Sequence, residues 1–590
     1  MKNIKLIIYM LGYIWKADKK GFFWLIVWLI WHIIPTVYRA LIYKLIIGSI
    51  IEQKSLSHTI TIVVLYALVE LVARIFSDYV YENRFKRLGL NVKKYSNDLL
   101  LQKCSVLDME CYDDTGFYDK ISRALGQVDN RAMDVFYQVQ RFLSDVIYLI
   151  TGVAIIVTLD PLMIFVSIAA GIAFFLLDIV FLKTRYQAQE AMIPINRKVD
   201  YFHGLMRDRR TVSDIKQYKG FDNYIMGKYN KSADEQIDMS MKLANKEFTH
   251  SVKRKFFVVG VYILFPYAYL AVQCFRAVIS VADIPAMFNA FNLTVDGFSD
   301  ISREISNMKE SCLYIAHLKE VLEYEPKIER NIGRDIGDID TIEFDNVSFK
   351  YPHSETYVLK DLSITIKKGQ KIAIVGINGA GKSTFVKLLM RYYDPCEGRV
   401  LVNGVDIKEY SVNALRDKMA TLLQEFQPYN VPIDEMIACS ETTDEKKVEH
   451  VLDEVGLTER INESPKKIKS EYSKMFDEDG IVRSGGELQK LFIARMRYMD
   501  GGVYIMDEPS SALDPIAEYE INNLMMNIAK NKTVIMVAHR LSTVVNADCI
   551  LLIDGGKVLE MGSHKQLLEQ NGKYAQMFKL QAEQYQAKNN

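Results

Sequence analysis

Three groups of residues between Gly376 and Asp507 have the types and spacing needed to handle phosphate. Gly376-Ile377-Asn378-Gly379-Ala380-Gly381-Lys382-Ser383 fits the pattern G-x-x-x-x-G-K-[ST]. The strand-like Lys371-Ile372-Ala373-Ile374-Val375 precedes it, and a helix-like run from Thr384 to Leu389 follows, the context that pattern requires. Glycines in such a loop let backbone amides face phosphate oxygens. Lys382 would bridge the terminal phosphates, and the Ser383 hydroxyl would ligate a magnesium ion whose charge offsets that of the nucleotide. Thr384 opens the helix and belongs to the same phosphate-binding run. Farther on, Ser484-Gly485-Gly486-Glu487-Leu488-Gln489 stands shortly before the apolar run Val503-Tyr504-Ile505-Met506, which ends in Asp507-Glu508. Its β-branched and apolar residues predict a buried parallel strand that delivers two carboxylates to one place.

The elements that must position these residues are alternating strands and helices, and in this order the motifs resemble the ABC ATPase family. The resemblance implies that Ser484, Gly485, Gly486 and Glu487, at a helix N-terminus, grip the γ-phosphate of ATP held by an opposing subunit. It also implies that Tyr351 stacks on adenine, Gln424 contacts magnesium and His539 holds the γ-phosphate. Asp507 would order the magnesium shell, and Ser511 to Asp514 would communicate across the dimer. Glu508 takes the role of general base, because in-line displacement needs a carboxylate beside the attacking water. Arg483 stands where the family usually has an apolar residue, while the serine and glycines that bind phosphate remain.

At 590 residues the chain exceeds one core, and its composition changes along its length. Residues 1–325 carry long apolar runs, 326–340 read as a linker with Gly333 and Gly337, 341–582 alternate as a soluble domain does, and 583–590 form a polar tail. A bilayer core about 30 Å thick needs about 20 apolar residues. Six spans are expected, at about 22–50, 58–81, 136–159, 161–182, 255–280 and 284–305, with polar stretches 82–135 and 183–254 between them. The sixth is interrupted by Asn289, Asn292, Asp296 and Asp300, which a helix lining a water-filled cavity can carry. Asp160-Pro161 and Ile284-Pro285 predict tight breaks. The balance of 73 basic and 73 acidic residues hides a local bias. Lys2, Lys5, Lys16, Lys19, Lys20, Arg84, Lys86, Arg87, Lys93 and Lys94 flank spans or sit in the long stretches. That bias places the N-terminus, both long stretches and the soluble domain in the cytoplasm of a multi-pass cell-membrane protein. The first span lacks a small-residue cleavage site and runs past signal-peptide length.

Six spans, two long loops and a C-terminal cassette resemble an ABC half-transporter of the exporter type. The implied fold is a six-helix α-helical membrane domain, domain-swapped in a dimer, joined to an α/β P-loop NTPase cassette. The implied cofactors are ATP and Mg²⁺, and the implied partners are the lipid bilayer, a second copy of the chain or an unlike subunit, and the transported cargo; no nucleic acid is expected. In that family short coupling helices press on the cassettes, and Tyr112 to Tyr118 and Gln217 to Asp222 occupy the corresponding positions; their plainer reading is a polar turn. The text around Ser511 to Glu520 and Glu110 to Ser122 is similar to bacterial exporters of ribosomally made peptides lacking a peptidase domain, so a peptide is the expected cargo. The alternatives are a multidrug or lipid exporter, and after those an importer or an ATP-gated channel on the same fold.

Glu70, Arg74 and Asp78 recur every four residues and share a helical face, as do Arg141 and Asp145. They read first as ion pairs that orient helices and second as groups lining a cavity. Tyr267 and Tyr269 beside Pro266 predict an amphipathic patch at a helix break. The seven cysteines form no C-x-x-C pair and read as reduced packing residues. His203, His250 and His317 stand alone rather than in a metal-ligand cluster.

Overall fold

The computed structural model describes residues 2–276, 278–328, 331–423, 427–481, 484–507, 515–538 and 540–587. Contacts divide the chain into two units: Met1–Lys103 with Lys120–Glu323, and Cys104–Asp119 with Tyr324–Asn590.

The first unit is helical. An N-terminal helix α1 (Lys2–Ala17) precedes α2 (Lys19–Ile51) and α3 (Leu56–Tyr79); a π-helical turn, Val80–Phe85, leads into α4 (Lys86–Val106). After the short α5 (Glu110–Asp113), which belongs with the second unit, come α6 (Thr115–Leu159), α7 (Met163–Leu205), α8 (Arg209–Ile215), α9 (Phe221–Val258), α10 (Phe265–Phe275) and α11 (Ile284–Glu323). Helix α1 was not anticipated from the sequence. It buries Met10, Tyr13 and Ile14 on one face and leaves Ile4, Ile8 and Trp15 exposed. Asp18 separates it from α2, caps α2 by accepting from the Gly21 amide, and accepts from Asn91 Nδ2 at 2.7 Å.

Among the described residues, Lys19–Ile51, Leu56–Val106 and Arg131–Leu159 are long and apolar enough to cross a bilayer, and Met163–Leu177 is a shorter apolar helix. The expected spans at 22–50, 58–81 and 136–159 fall on the first three of these. The expected spans at 161–182, 255–280 and 284–305 fall on α7, on α9 to α10, and on α11. Along α3 only Ala73 is buried, while Ile60, Val64, Leu68, Leu71 and Ile75 are exposed. So large an apolar face suits lipid rather than water. The expected break at Asp160-Pro161 is a turn in which Asp160 accepts from the Leu162 amide, and a 3₁₀ turn, Val281–Asp283, precedes Ile284. At Pro266 the helical path continues through a π-helical turn, Val259–Leu264, rather than breaking. Tyr269 there donates to Asp160 at 2.7 Å, and Tyr267 packs on Phe288.

Small residues bring α11 close to its neighbours. A Cβ on Gly152 would lie 2.6 Å from the Ala290 carbonyl oxygen, and one on Gly297 3.0 Å from Leu149 Cβ. The charged faces seen in the sequence are ion-paired for the most part. Arg39 donates to the two Glu70 carboxylate oxygens from Nε at 2.9 Å and Nη2 at 2.8 Å, and Arg74 adds a third contact at 3.0 Å. Arg141 reaches Glu304 of α11 at 3.0 Å.

The second unit holds two sheets. An antiparallel one, ordered β2-β1-β4-β5, contains β1 (Thr341–Phe349), β2 (Leu359–Lys367), β4 (Glu397–Val402) and β5 (Val405–Asp406). The other is ordered β10-β9-β3-β8-β7-β6, from β3 (Lys371–Val375), β6 (Met419–Leu422), β7 (Val503–Asp507), β8 (Thr533–Val537), β9 (Cys549–Asp554) and β10 (Lys557–Gly562). Strands β9, β3, β8, β7 and β6 run parallel, and β10 alone is antiparallel. Every residue of β7 and β8 is buried, as expected of central parallel strands covered on both faces. The segment 104–119 groups with this second unit. Its Asp108 carboxylate accepts from Tyr324 Oη at 2.9 Å and from the amides of Lys327 and Ile328 at 2.8 and 3.2 Å.

Candidate nucleotide site

The phosphate loop leaves the C-terminal end of β3 and enters helix α12 (Lys382–Leu389), the place where parallel α/β sheets bind ligands. Two of its glycines are dictated by space. A Cβ on Gly376 would sit 2.3 Å from the Ile553 carbonyl oxygen of β9. Gly381, the residue before α12, has φ +105°, and a Cβ there would meet Leu359 Cδ2 at 2.7 Å. Ile377, Asn378 and Gly379 form the exposed tip of the loop, while Ala380 and Thr384 are buried and Ser383 is half-buried. Lys382 is only 5% exposed and donates from Nζ to the carbonyls of Gly376 at 3.1 Å and Ile377 at 3.2 Å. The ammonium is therefore folded over its own loop, with its charge fixed where phosphates would meet the helix N-terminus.

The strand order brings further expected groups to the same edge. Strand β8 lies between β3 and β7, with Ile374 and Asp507 both registered on Val537. Asp507 ends β7 and is 5% exposed. Gln424, Glu508, Asp514 and His539 lie outside the described residues, as does Arg483. Ser383 and Asp507 supply a hydroxyl and a carboxylate, hard oxygen donors of the kind magnesium takes, so this edge of the sheet fits the ion.

Tyr351 follows β1 and is half-buried. Its hydroxyl lies 3.1 Å from Thr384 Oγ1, and Lys387 Nζ stands 5.3 Å from its ring centroid. Phe349 and Tyr393 meet the ring edge-on at 5.2 and 5.4 Å. Sequence reasoning missed Tyr393, which is 6% exposed and donates its hydroxyl to Asp113 of α5. Burial first, and the Asp113 carboxylate second, push the Tyr393 phenol above its ordinary value. No sequence signal joins residues 280 positions apart. A cleft of about 430 Å³, lined by Tyr351, Tyr393, His353, Lys327 and Glu110 among others, opens beside this aromatic group. Of the two stretches expected to couple, 112–118 runs from the end of α5 through a bend at Asp114 into α6, and 217–222 forms the turn before α9, with Gly220 at φ +82°.

Ser484 caps the helix Gly485–Met499 in a reciprocal capping box: its hydroxyl accepts from the Glu487 amide, and the Glu487 carboxylate accepts from the Ser484 amide. Glu487 also pairs with Arg460 at 3.3 Å, so its carboxylate serves the helix start while the Gly485 and Gly486 amides stand at the N-terminus.

The ABC transporter family profile matches residues 359–511. The chain is 28% identical over 559 residues to the subtilin transport ATP-binding protein SpaT of Bacillus subtilis, covering 92% of this chain and 89% of SpaT. It is 39% identical over 245 residues to an ATP-dependent lipid A-core flippase of Burkholderia thailandensis, and that match spans only 40% of the flippase. Among solved structures, a bacterial Atm1-family ABC exporter with ATP bound superposes with a TM-score of 0.82 at 22% identity, over 96% of this chain and 98% of that one. The phosphate loop at the sheet edge and these likenesses lead to one assignment: residues 359–511 form an ABC transporter cassette, the chain has the exporter fold, and it is a membrane-embedded ATP hydrolase coupled to transport that uses ATP with Mg²⁺.

Proposed function

We propose that two copies of this chain form an exporter that moves a peptide across the cell membrane, with the N-terminus and both cassettes in the cytoplasm. The observation that carries the cargo class is the likeness to the subtilin transport protein SpaT, which extends over 92% of the chain. The flippase match spans 41% of the chain, so lipid cargo has narrower support.

At each nucleotide site the phosphate loop and the buried Lys382 hold the β- and γ-phosphates, and Tyr351 with Lys387 borders the base. Ser383, Gln424 and Asp507 would hold Mg²⁺, which would supply charge neutralisation on the phosphate oxygens. Glu508 takes a proton from the attacking water, and His539 orients the γ-phosphate. Ser484 and the amides of Gly485 and Gly486 close on the nucleotide held by the other copy, so ATP joins the cassettes and hydrolysis releases them. Segment 104–119 bonds to the cassette through Asp108 and Asp113 and is the lever that carries this closure.

The test is ATP hydrolysis by the chain purified alone in lipid nanodiscs, beside Glu508→Gln, with panels of peptides, hydrophobic drugs and lipids. Turnover that is lost in the variant and changed by peptides supports a self-sufficient peptide pump. Silence of the chain alone refutes the homodimer, and a response to lipids or drugs but not to peptides refutes the peptide reading.

A further inference from the structure

Asp145 lies on α6 within Arg131–Leu159, a stretch apolar enough to cross a bilayer. It is 7% exposed, and its Oδ2 is buried with no hydrogen-bond partner among the described residues. The charged groups that act on it are Asp300, Glu304 and Arg303 of α11 and Arg141 of its own helix. Both arginines are engaged elsewhere: Arg141 holds Glu304 at 3.0 Å, and Arg303 holds Asp300 at 3.1 Å and Glu304 at 3.8 Å. Arg39, which acts on the nearby Tyr148, is committed to Glu70. The aromatic side of the cluster is closed as well, since Tyr148, three residues on, shares a 2.6 Å hydrogen bond with His32. Asp145 is thus a carboxylate in an apolar helix bundle whose neighbouring cations, among the described residues, serve other acids, an arrangement that costs free energy unless the carboxyl takes up a proton or a cation from outside completes it. Arg141 and Arg303 keep about half of their side-chain surface exposed, so the cluster borders an open face.

We infer that Asp145 is a cargo subsite for a primary ammonium group. The inference rests on the export reading and specifies its cargo: a peptide bearing lysine side chains, taken in preference to neutral or anionic ones. The same chemistry is offered by an amine lipid headgroup, so the experiment separates the two sources.

The protein in nanodiscs of phosphatidylcholine and phosphatidylglycerol is titrated with a synthetic amphipathic peptide bearing lysines and with its Nε-acetylated twin, and ATP turnover is read. Without peptide, turnover is also compared in nanodiscs containing phosphatidylethanolamine. In the wild type the half-maximal concentration should be about tenfold lower for the lysine peptide than for its twin, and Asp145→Asn should remove that difference, the scale of one charge contact. Asp145→Glu keeps the charge and should keep the preference. If the asparagine variant does not fold, the wild-type comparison of the twins decides, and equal half-maximal concentrations overturn the subsite. Peptides that act with the same preference on Asp145→Asn as on the wild type also overturn it while leaving peptide export standing. A response only to phosphatidylethanolamine, lost in Asp145→Asn, sustains the ammonium site and overturns the peptide reading. Silence in every arm overturns both.

Discussion

Lys382→Ala should weaken ATP binding by about 30-fold, a magnitude that follows from where the ammonium sits. At 5% exposure, with Nζ bonded to the Gly376 and Ile377 carbonyls, the charge is already desolvated and fixed at the loop. A unit charge about 4 Å from a phosphate oxygen contributes about 4 kcal/mol at an effective dielectric constant near 20. Dehydrating the phosphate offsets about half of that, leaving about 2 kcal/mol, or ~30-fold in Kd. A flexible surface lysine would lose part of this to side-chain ordering; Lys382 does not, because the loop carbonyls hold it in place. The assay is equilibrium titration of a fluorescent ATP analogue against wild type and variant, with thermal unfolding of both as a check on the fold. A variant that keeps its unfolding temperature and binds within about threefold of wild type would refute the clamp, since that corresponds to less than 0.7 kcal/mol.

Glu508→Gln should abolish turnover while keeping nucleotide affinity, because an amide preserves shape but cannot accept the proton; hydrolysis near the wild-type rate removes Glu508 from the base role. Gly381→Ala should destabilise the cassette by about 2–3 kcal/mol, since a Cβ meets Leu359 Cδ2 at 2.7 Å in a backbone at φ +105°; an unchanged denaturation midpoint contradicts the packing argument. The phenol of Tyr393 is raised above its ordinary value of 10.0 by burial and Asp113, so the unfolded chain ionises first as pH rises. Its stabilising contribution should be complete below about pH 10 and fall above it. Tyr393→Phe should flatten that alkaline limb, and an identical pH profile in the variant would exclude Tyr393 as its source.

Much of the nucleotide site was legible in the chain because its chemistry is local. Backbone amides that cradle phosphate must come from consecutive residues, so Gly376 to Ser383 announce themselves, and the capping of Gly485–Met499 by Ser484 is written three residues apart. A bilayer likewise demands long apolar runs, which is why the stretches on α2, α3 and α6 could be read directly. Helix α1 escaped because its apolar residues lead straight into the longer apolar run of α2, with only Lys16 to Lys20 between them. Folding decided what depends on distant partners. Only the strand order places Asp507 two strands from the phosphate loop, across β8, and only packing sets Tyr393 of the cassette against Asp113. The sequence showed Arg141 and Asp145 sharing a face, and a pair four residues apart suggests a local ion pair. In the folded bundle Arg141 turns to Glu304 on another helix and leaves Asp145 without a partner among the described residues, because a buried charge is settled by whichever neighbour the tertiary structure brings within reach.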